Sequence, residues 1–224
     1  MGQLSGSGAV FLSASVPDNS SENFVGEGDS AAIAAAVSGL LYVTLGRRKL
    51  VWGGHPAITP MVWAFCESME VDYGAWVKLF QSDLFEDDFP EENAFFKNVT
   101  LTKRSPLGLE KSLEIMREQM ISETALEAAV FIGGMKGVLV EYKMIREYAP
   151  SIKILPLATT GGAASLIALQ GEFPTKFSRE MDYVALFHEE LEVDFDERRY
   201  RSPSAQPKNV VQRLENPRQN KKPK

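Results

Sequence analysis

Three times along this chain a short apolar run stops at a pair of glycines and gives way to a helical pattern. Residues 49–52 lead into Gly53 and Gly54, residues 128–132 into Gly133 and Gly134, and residues 153–156 into Thr159, Thr160, Gly161 and Gly162. Short runs rich in β-branched and aromatic side chains suit strands buried on both faces, as in a parallel sheet covered by helices. Glycine after such a strand lets the backbone turn through conformations closed to other residues. The repeating unit is βαβ, and the fold it predicts is α/β: a doubly wound, mostly parallel, Rossmann-like sheet in three layers.

The remaining segments fill in this scheme. Residues 9–14 read as a first, central strand. Asp29 and Ser30 offer an N-cap ahead of an Ala-rich helix over 31–45. A helical pattern runs from Pro60 to Tyr73, strands are expected at 77–80 and 99–102, and further helices at 106–127, 138–148 and 163–170. Residues 182–191 fit a helix or an edge strand equally. Between Ser82 and Asn98 the chain is acidic and aromatic, with Phe85, Phe89, Phe95 and Phe96, and reads as a long loop or insertion.

The length of 224 residues and an apolar content of 44% fit one globular domain with a sizeable core. Cys66 is the single cysteine, so an internal disulfide is impossible, and no His/Cys cluster suggests a metal site. No stretch of about 18 apolar residues offers a membrane span. The first residues lack the basic and apolar regions of a secretion signal, so no export is expected, and the cytoplasm stands as the default location.

The net charge of −6 is unevenly spread: from Arg198 onward nine Lys/Arg face the single Glu215, leaving fifteen Lys/Arg against twenty-nine Asp/Glu before it. The expected organisation is a domain over 1–197 and a basic, disordered tail over 198–224. An acidic body also argues against nucleic acid as a partner, because phosphate contacts need clustered cations.

The most informative segment is 131–141, Phe-Ile-Gly-Gly-Met-Lys-Gly-Val-Leu-Val-Glu. Gly133, Gly134 and Gly137 can bring backbone N–H groups close to an anion, and the positive end of the following helix points at the same place. Phosphate is the natural guest. Glu141 lies one helical turn beyond Gly137, where its carboxylate could hold ribose hydroxyls or act as an acid or base.

GGMKGVLVE resembles the PGGxGTxxE motif of the LOG and lysine-decarboxylase-like branch of the SLOG superfamily. In that branch the glycines bind phosphate and the Glu takes part in cleaving a base from a ribose phosphate. Those enzymes also carry an arginine on the preceding helix, and Arg117 stands at a matching distance from Gly133. This chain departs from the pattern in three places: Ile132 replaces a proline, Val138 a threonine, and Glu118 the lysine after the arginine. The threonine change removes a hydroxyl donor and the lysine change reverses a charge, while Lys136 returns a cation to the turn.

A second string, GGHPAITP over 53–60, is similar to the SLOG cluster 3 family of bacterial conflict systems. That resemblance implies a sensor of a nucleotide-derived ligand of the NAD, ADP-ribose or cyclic ADP-ribose type, in anti-phage defence, with an effector protein encoded nearby and a homo-oligomeric state. The ligand takes the place of a cofactor, and no membrane is involved. The expected ligand-binding residues are Ser13 and Ala14 at the first strand, Gly53, Gly54 and His55, then Arg117, Gly133, Gly134, Lys136, Gly137 and Glu141, and finally Thr159, Thr160, Gly161 and Gly162. An alternative is a nucleotide N-glycoside hydrolase or transferase of the LOG phosphoribohydrolase type, with Glu141 and Arg117 as catalytic groups. The resemblance covers roughly residues 9 to 170.

Overall fold

The computed structural model describes residues 8–69 and 71–214. Six strands form one sheet: β1 (Ala9–Ser15), β2 (Lys49–Trp52), β3 (Val77–Ser82), β4 (Val99–Thr102), β5 (Leu126–Gly133) and β6 (Lys153–Leu157). Their spatial order is β4-β3-β2-β1-β5-β6, and every pairing is parallel. The chain steps outward from β1 to β4, then returns to lay β5 against the other side of β1. The order reverses between β1 and β5, and in open parallel sheets the carboxyl edge at such a point is where a crevice forms.

Alternation along the strands builds two cores. Val10 and Leu12 of β1, with Leu50, Trp52, Leu79 and Val130, face α1 (Ser30–Thr44), α2 (Thr59–Ser68) and α7 (Tyr183–Glu190). Phe11, Val51, Phe80, Ala129 and Phe131 point the other way, onto α4 (Leu109–Ser122), α5 (Lys136–Tyr148) and α6 (Gly162–Gln170). A period of two with both faces apolar is what a sheet sandwiched between helix layers requires.

Local chemistry sets the element ends. Asp29 caps α1 by accepting from the Ala31 and Ala32 N–H groups at 2.9 and 3.0 Å. Gly108, with φ +98°, precedes α4, so that helix starts three residues later than the pattern from Pro106 suggests. Its other end is Ser122, and Leu126 and Glu127, expected at the end of the helix, instead join β5, whose Leu126 pairs with Ala9 of β1. The helix expected to run from Pro60 to Tyr73 stops at Ser68, and a four-residue turn, α3 (Tyr73–Trp76), follows. Residues 182–191 resolve into the helix α7, capped by Asp182 through the Ala185 N–H. The 82–98 segment holds two 3-10 turns, Asp83–Asp88 and Glu91–Phe95.

The chain after Glu197 differs from the expected disorder. Residues 198–214 lie as a strap across the body. The Tyr200 N–H donates to the Gly46 carbonyl, the Trp76 indole N–H to the Tyr200 carbonyl at 2.9 Å, and the Asp72 N–H to the Arg201 carbonyl. Glu197 forms a bridge with Leu214, and its carboxylate sits between Arg48 at 2.7 Å and Arg213 at 3.5 Å, with all three side chains almost fully buried. Composition marks this segment as solvated because it is basic and poor in large apolar groups; the buried Glu197 supplies the counter-charge that composition does not reveal. The rest of the expected tail, 215–224, falls outside the described residues. Among the described residues no helix is long and apolar enough to cross a membrane.

Candidate functional site

At the carboxyl edge, β1 and β5 run in register from Ser13 opposite Phe131 to Ser15 opposite Gly133. Beyond them lies a cleft of 340 Å³, within the size range of small-molecule sites. Its floor is made by Ala14, Ser15, Gly53 and Gly54 at the strand ends. Its walls come from α4, from the first two turns of α5, and from the acidic aromatic insertion.

Glu141 is the centre of the polar network. Its Oε1 accepts from Arg117 Nε at 3.2 Å and its Oε2 from the Ser13 hydroxyl at 2.5 Å. One contact ties α5 to α4 and the other ties it to β1. Gly137 stands one turn earlier on α5, and a Cβ there would lie 3.0 Å from Arg117 Nη2, so its lack of a side chain lets the guanidinium lie against the helix. Lys136 is exposed at the head of α5 and makes no ion pair among the described residues. The N-cap residue, Met135, contributes no side-chain cap, and the Gly137 N–H meets no acceptor among the described residues. The Lys136 N–H donates to the Asn23 carbonyl at 3.0 Å, so the Gly137 N–H is the group this helix end leaves unpaired beside the cleft.

The other glycines have different partners. The Gly133 N–H donates to Thr160 Oγ1 at 2.7 Å, and the Gly134 N–H to the Ser15 carbonyl at 2.8 Å. The Gly162 N–H reaches the Glu27 carbonyl, and the Ala163 N–H the Gly134 carbonyl. The turns after β5 and β6 thus lock onto each other and onto the loop after β1. Gly133, Gly134, Thr159, Thr160, Gly161 and Gly162 stand together beside the cleft but do not line it. Thr159 instead meets the Tyr183 hydroxyl at 2.9 Å. Ser13 is buried beneath the cleft, in contact with it through Glu141.

His55 lines the cleft and also opens α2. Its Nδ1 accepts from the Ala57 N–H at 3.2 Å, and its carbonyl receives the Ile58 and Thr59 N–H groups. An accepting Nδ1 places the proton of the neutral ring on Nε2, and burial pushes the imidazole below its usual pKa. Burial likewise pushes the Cys66 thiol up to about 12, as suits a core cysteine on α2.

Several lining residues carried no signal in the motifs. Gln81, at the end of β3, donates from Nε2 to the carbonyls of Gly53 and Gly54 at 2.9 and 3.1 Å. Gly54 has φ +66°, and a Cβ on it would collide with that amide at 1.9 Å. A polar residue at the carboxyl end of a buried strand is the cue that could have found Gln81. Phe85, Asp88 and Phe89 come from the insertion, and Glu110 and Leu113 from α4. Aromatic density in an otherwise acidic loop is the corresponding cue there. Among the described residues no group of His, Cys, Asp and Glu has the arrangement of a metal site.

A doubly wound, all-parallel sheet with an arginine, a lysine and a carboxylate gathered at its switch point defines a Rossmann-like α/β protein with a carboxyl-edge cleft. The model described as the SLOG cluster3 family matches residues 23–191, and the chain belongs to that family. No curated protein matches it. Among solved structures, the X-ray structure of the structural genomics target TM1055 is similar at 16% identity, over 72% of this chain and 81% of that one, with a TM-score of 0.42.

Proposed function

We propose that this protein binds a nucleotide-derived ligand of the NAD, ADP-ribose or cyclic ADP-ribose type in the switch-point cleft, and that it acts as a sensor. The observation that carries this reading is that Arg117, Lys136 and the unpaired Gly137 N–H in the first turn of α5 all line the cleft. A guanidinium, an ammonium and a free backbone N–H at a helix N-terminus together suit a phosphate group. Glu141 holds the guanidinium in place, since its two oxygens accept hydrogen bonds from Arg117 and from Ser13. In this reading the carboxylate positions the arginine.

The resemblance to conflict-system SLOG proteins adds the setting: a cytoplasmic sensor in bacterial defence, assembled as a homo-oligomer and signalling to an effector protein. The experiment is equilibrium binding of AMP, ADP-ribose, cyclic ADP-ribose and NAD to the full chain, with free base followed by chromatography in the same mixtures. Saturable binding without release of base is expected. Release of base at a rate that Glu141→Gln abolishes would transfer the assignment to the N-glycoside hydrolase, and absence of binding by all four would remove the nucleotide reading.

A further inference from the structure

The acidic aromatic insertion is anchored at both ends and open in the middle. At its start, Ser82 caps the first turn through the Leu84 N–H, and Asp83 accepts from the Arg104 backbone N–H at 2.5 Å and from Arg104 Nε at 3.3 Å. At its end, the Phe95 ring stacks on Trp63 with centroids 4.4 Å apart and planes 13° from parallel, and Phe96 is buried beside Trp52. Between these anchors Phe85, Asp88, Phe89 and Pro90 face the cleft. Two half-buried phenyl rings thus face the cavity from a segment that is tied down at both ends.

The sheet order says how far this wall stands from the cationic end. The cleft runs along the strand ends in the order β5, β1, β2, β3. Three inter-strand steps of about 4.8 Å put the insertion about 14 Å from the start of α5. That separation suits a phosphate at one end and a nucleobase at the other. Charge sets the direction: Lys136 and the α5 N-terminus mark one pole, while Asp88 of the insertion marks the other. A phosphate at the insertion would face the Asp88 carboxylate, whereas a base exposing an amino group would find an acceptor there.

We propose that the 83–96 insertion is the base subsite of this cleft, with Phe85 and Phe89 as its aromatic faces and Asp88 as the acceptor for an exocyclic amine. The ligand is thus a nucleotide with an amino-bearing base, its phosphate at α5. This assignment rests on the nucleotide reading above and deepens it. Stacking on the rings supplies affinity, and the carboxylate discriminates an amino base from an oxo base.

The test is calorimetric titration of the full-length protein with AMP, IMP and ribose 5-phosphate, repeated for Phe85→Ala, Phe89→Ala and Asp88→Asn, with melting temperatures to verify folding. Wild type is expected to bind AMP at least about tenfold more tightly than IMP, the scale of one charged hydrogen bond. Phe85→Ala and Phe89→Ala should each weaken AMP about tenfold and leave ribose 5-phosphate unchanged. Asp88→Asn should bring AMP and IMP together. Equal affinities for AMP and IMP in wild type, or phenylalanine variants that bind AMP normally, would place the base elsewhere and overturn the subsite while leaving nucleotide binding intact. Failure of AMP, ADP-ribose, cyclic ADP-ribose and NAD alike to bind would take down the nucleotide reading itself.

Discussion

Ser13 and Glu141, 128 residues apart, meet across the switch point, the Ser13 hydroxyl donating to Glu141 Oε2 at 2.5 Å. A serine at the end of the central strand thereby sets the position of a carboxylate on α5, and through it that of Arg117. Ser13→Ala leaves one carboxylate oxygen without its donor in a partly buried place. The expected cost is about 1–3 kcal/mol of stability, read from urea unfolding. Ligand affinity should fall with it, since Arg117 loses a fixed partner. A Ser13→Ala protein as stable as wild type would mean that water replaces the hydroxyl without loss.

Gly134 is a packing glycine. Its φ is +93°, and a Cβ there would sit 2.4 Å from Val138 Cγ2. Both strain and collision act against a side chain, so Gly134→Ala should destabilise the fold by more than about 1 kcal/mol. Thermal unfolding checks this. A glycine that served only to hold an anion would show the opposite order of effects, with ligand affinity lost and the fold intact. A variant with an unchanged melting temperature would restore that role.

The strap over 198–214 should behave as part of the domain. Glu197→Ala leaves Arg48 and Arg213 buried without their shared carboxylate, at an expected cost of about 3–5 kcal/mol. Because the cluster is excluded from solvent, the loss should persist at high salt, where exposed ion pairs are screened. Truncation after Glu197 should lower the melting temperature in the same way. A truncated protein that melts with wild type would return the segment to the status of a solvated tail.

The two histidines give stability a pH dependence. Burial is the first cause that pushes His55 below its ordinary 6.5. For His188 burial also leads, opposed by the hydrogen bond to the Val193 carbonyl and reinforced by Arg47 and Arg199. A lowered folded pKa means that the unfolded chain takes up the proton first as pH falls. The stabilisation is complete above about pH 6.5 and is lost as pH drops through the folded pKa values. The melting temperature should therefore decline between about pH 7 and pH 5, and His188→Gln should flatten that decline. Identical slopes for wild type and variant would remove His188 as the cause.

Period and turn chemistry are local properties, and they made the scaffold readable. Both-faces-apolar runs such as residues 128–132, the Asp29 cap and the paired glycines after strands specify α/β alternation through interactions a few residues long. The placement of Lys136 in the cleft follows from that alternation, because strand ends and the helix starts after them share an edge of the sheet, whereas Arg117, two turns into α4, is held there by its contact with Glu141.

Tertiary contact alone decided the rest. Whether a glycine turn faces a ligand or another turn depends on which strands are neighbours: β6 beside β5 brings Thr160 onto the Gly133 N–H, and that bond turns the pair inward. Arg213 is buried because Glu197, 16 residues away and held by Arg48, 165 residues away, supplies the opposite charge. Gln81 and the insertion phenylalanines enter the site because β3 lies two places from β1 in the sheet. Long-range pairing and the sharing of buried charge belong to the folded whole, and no window of sequence contains both partners.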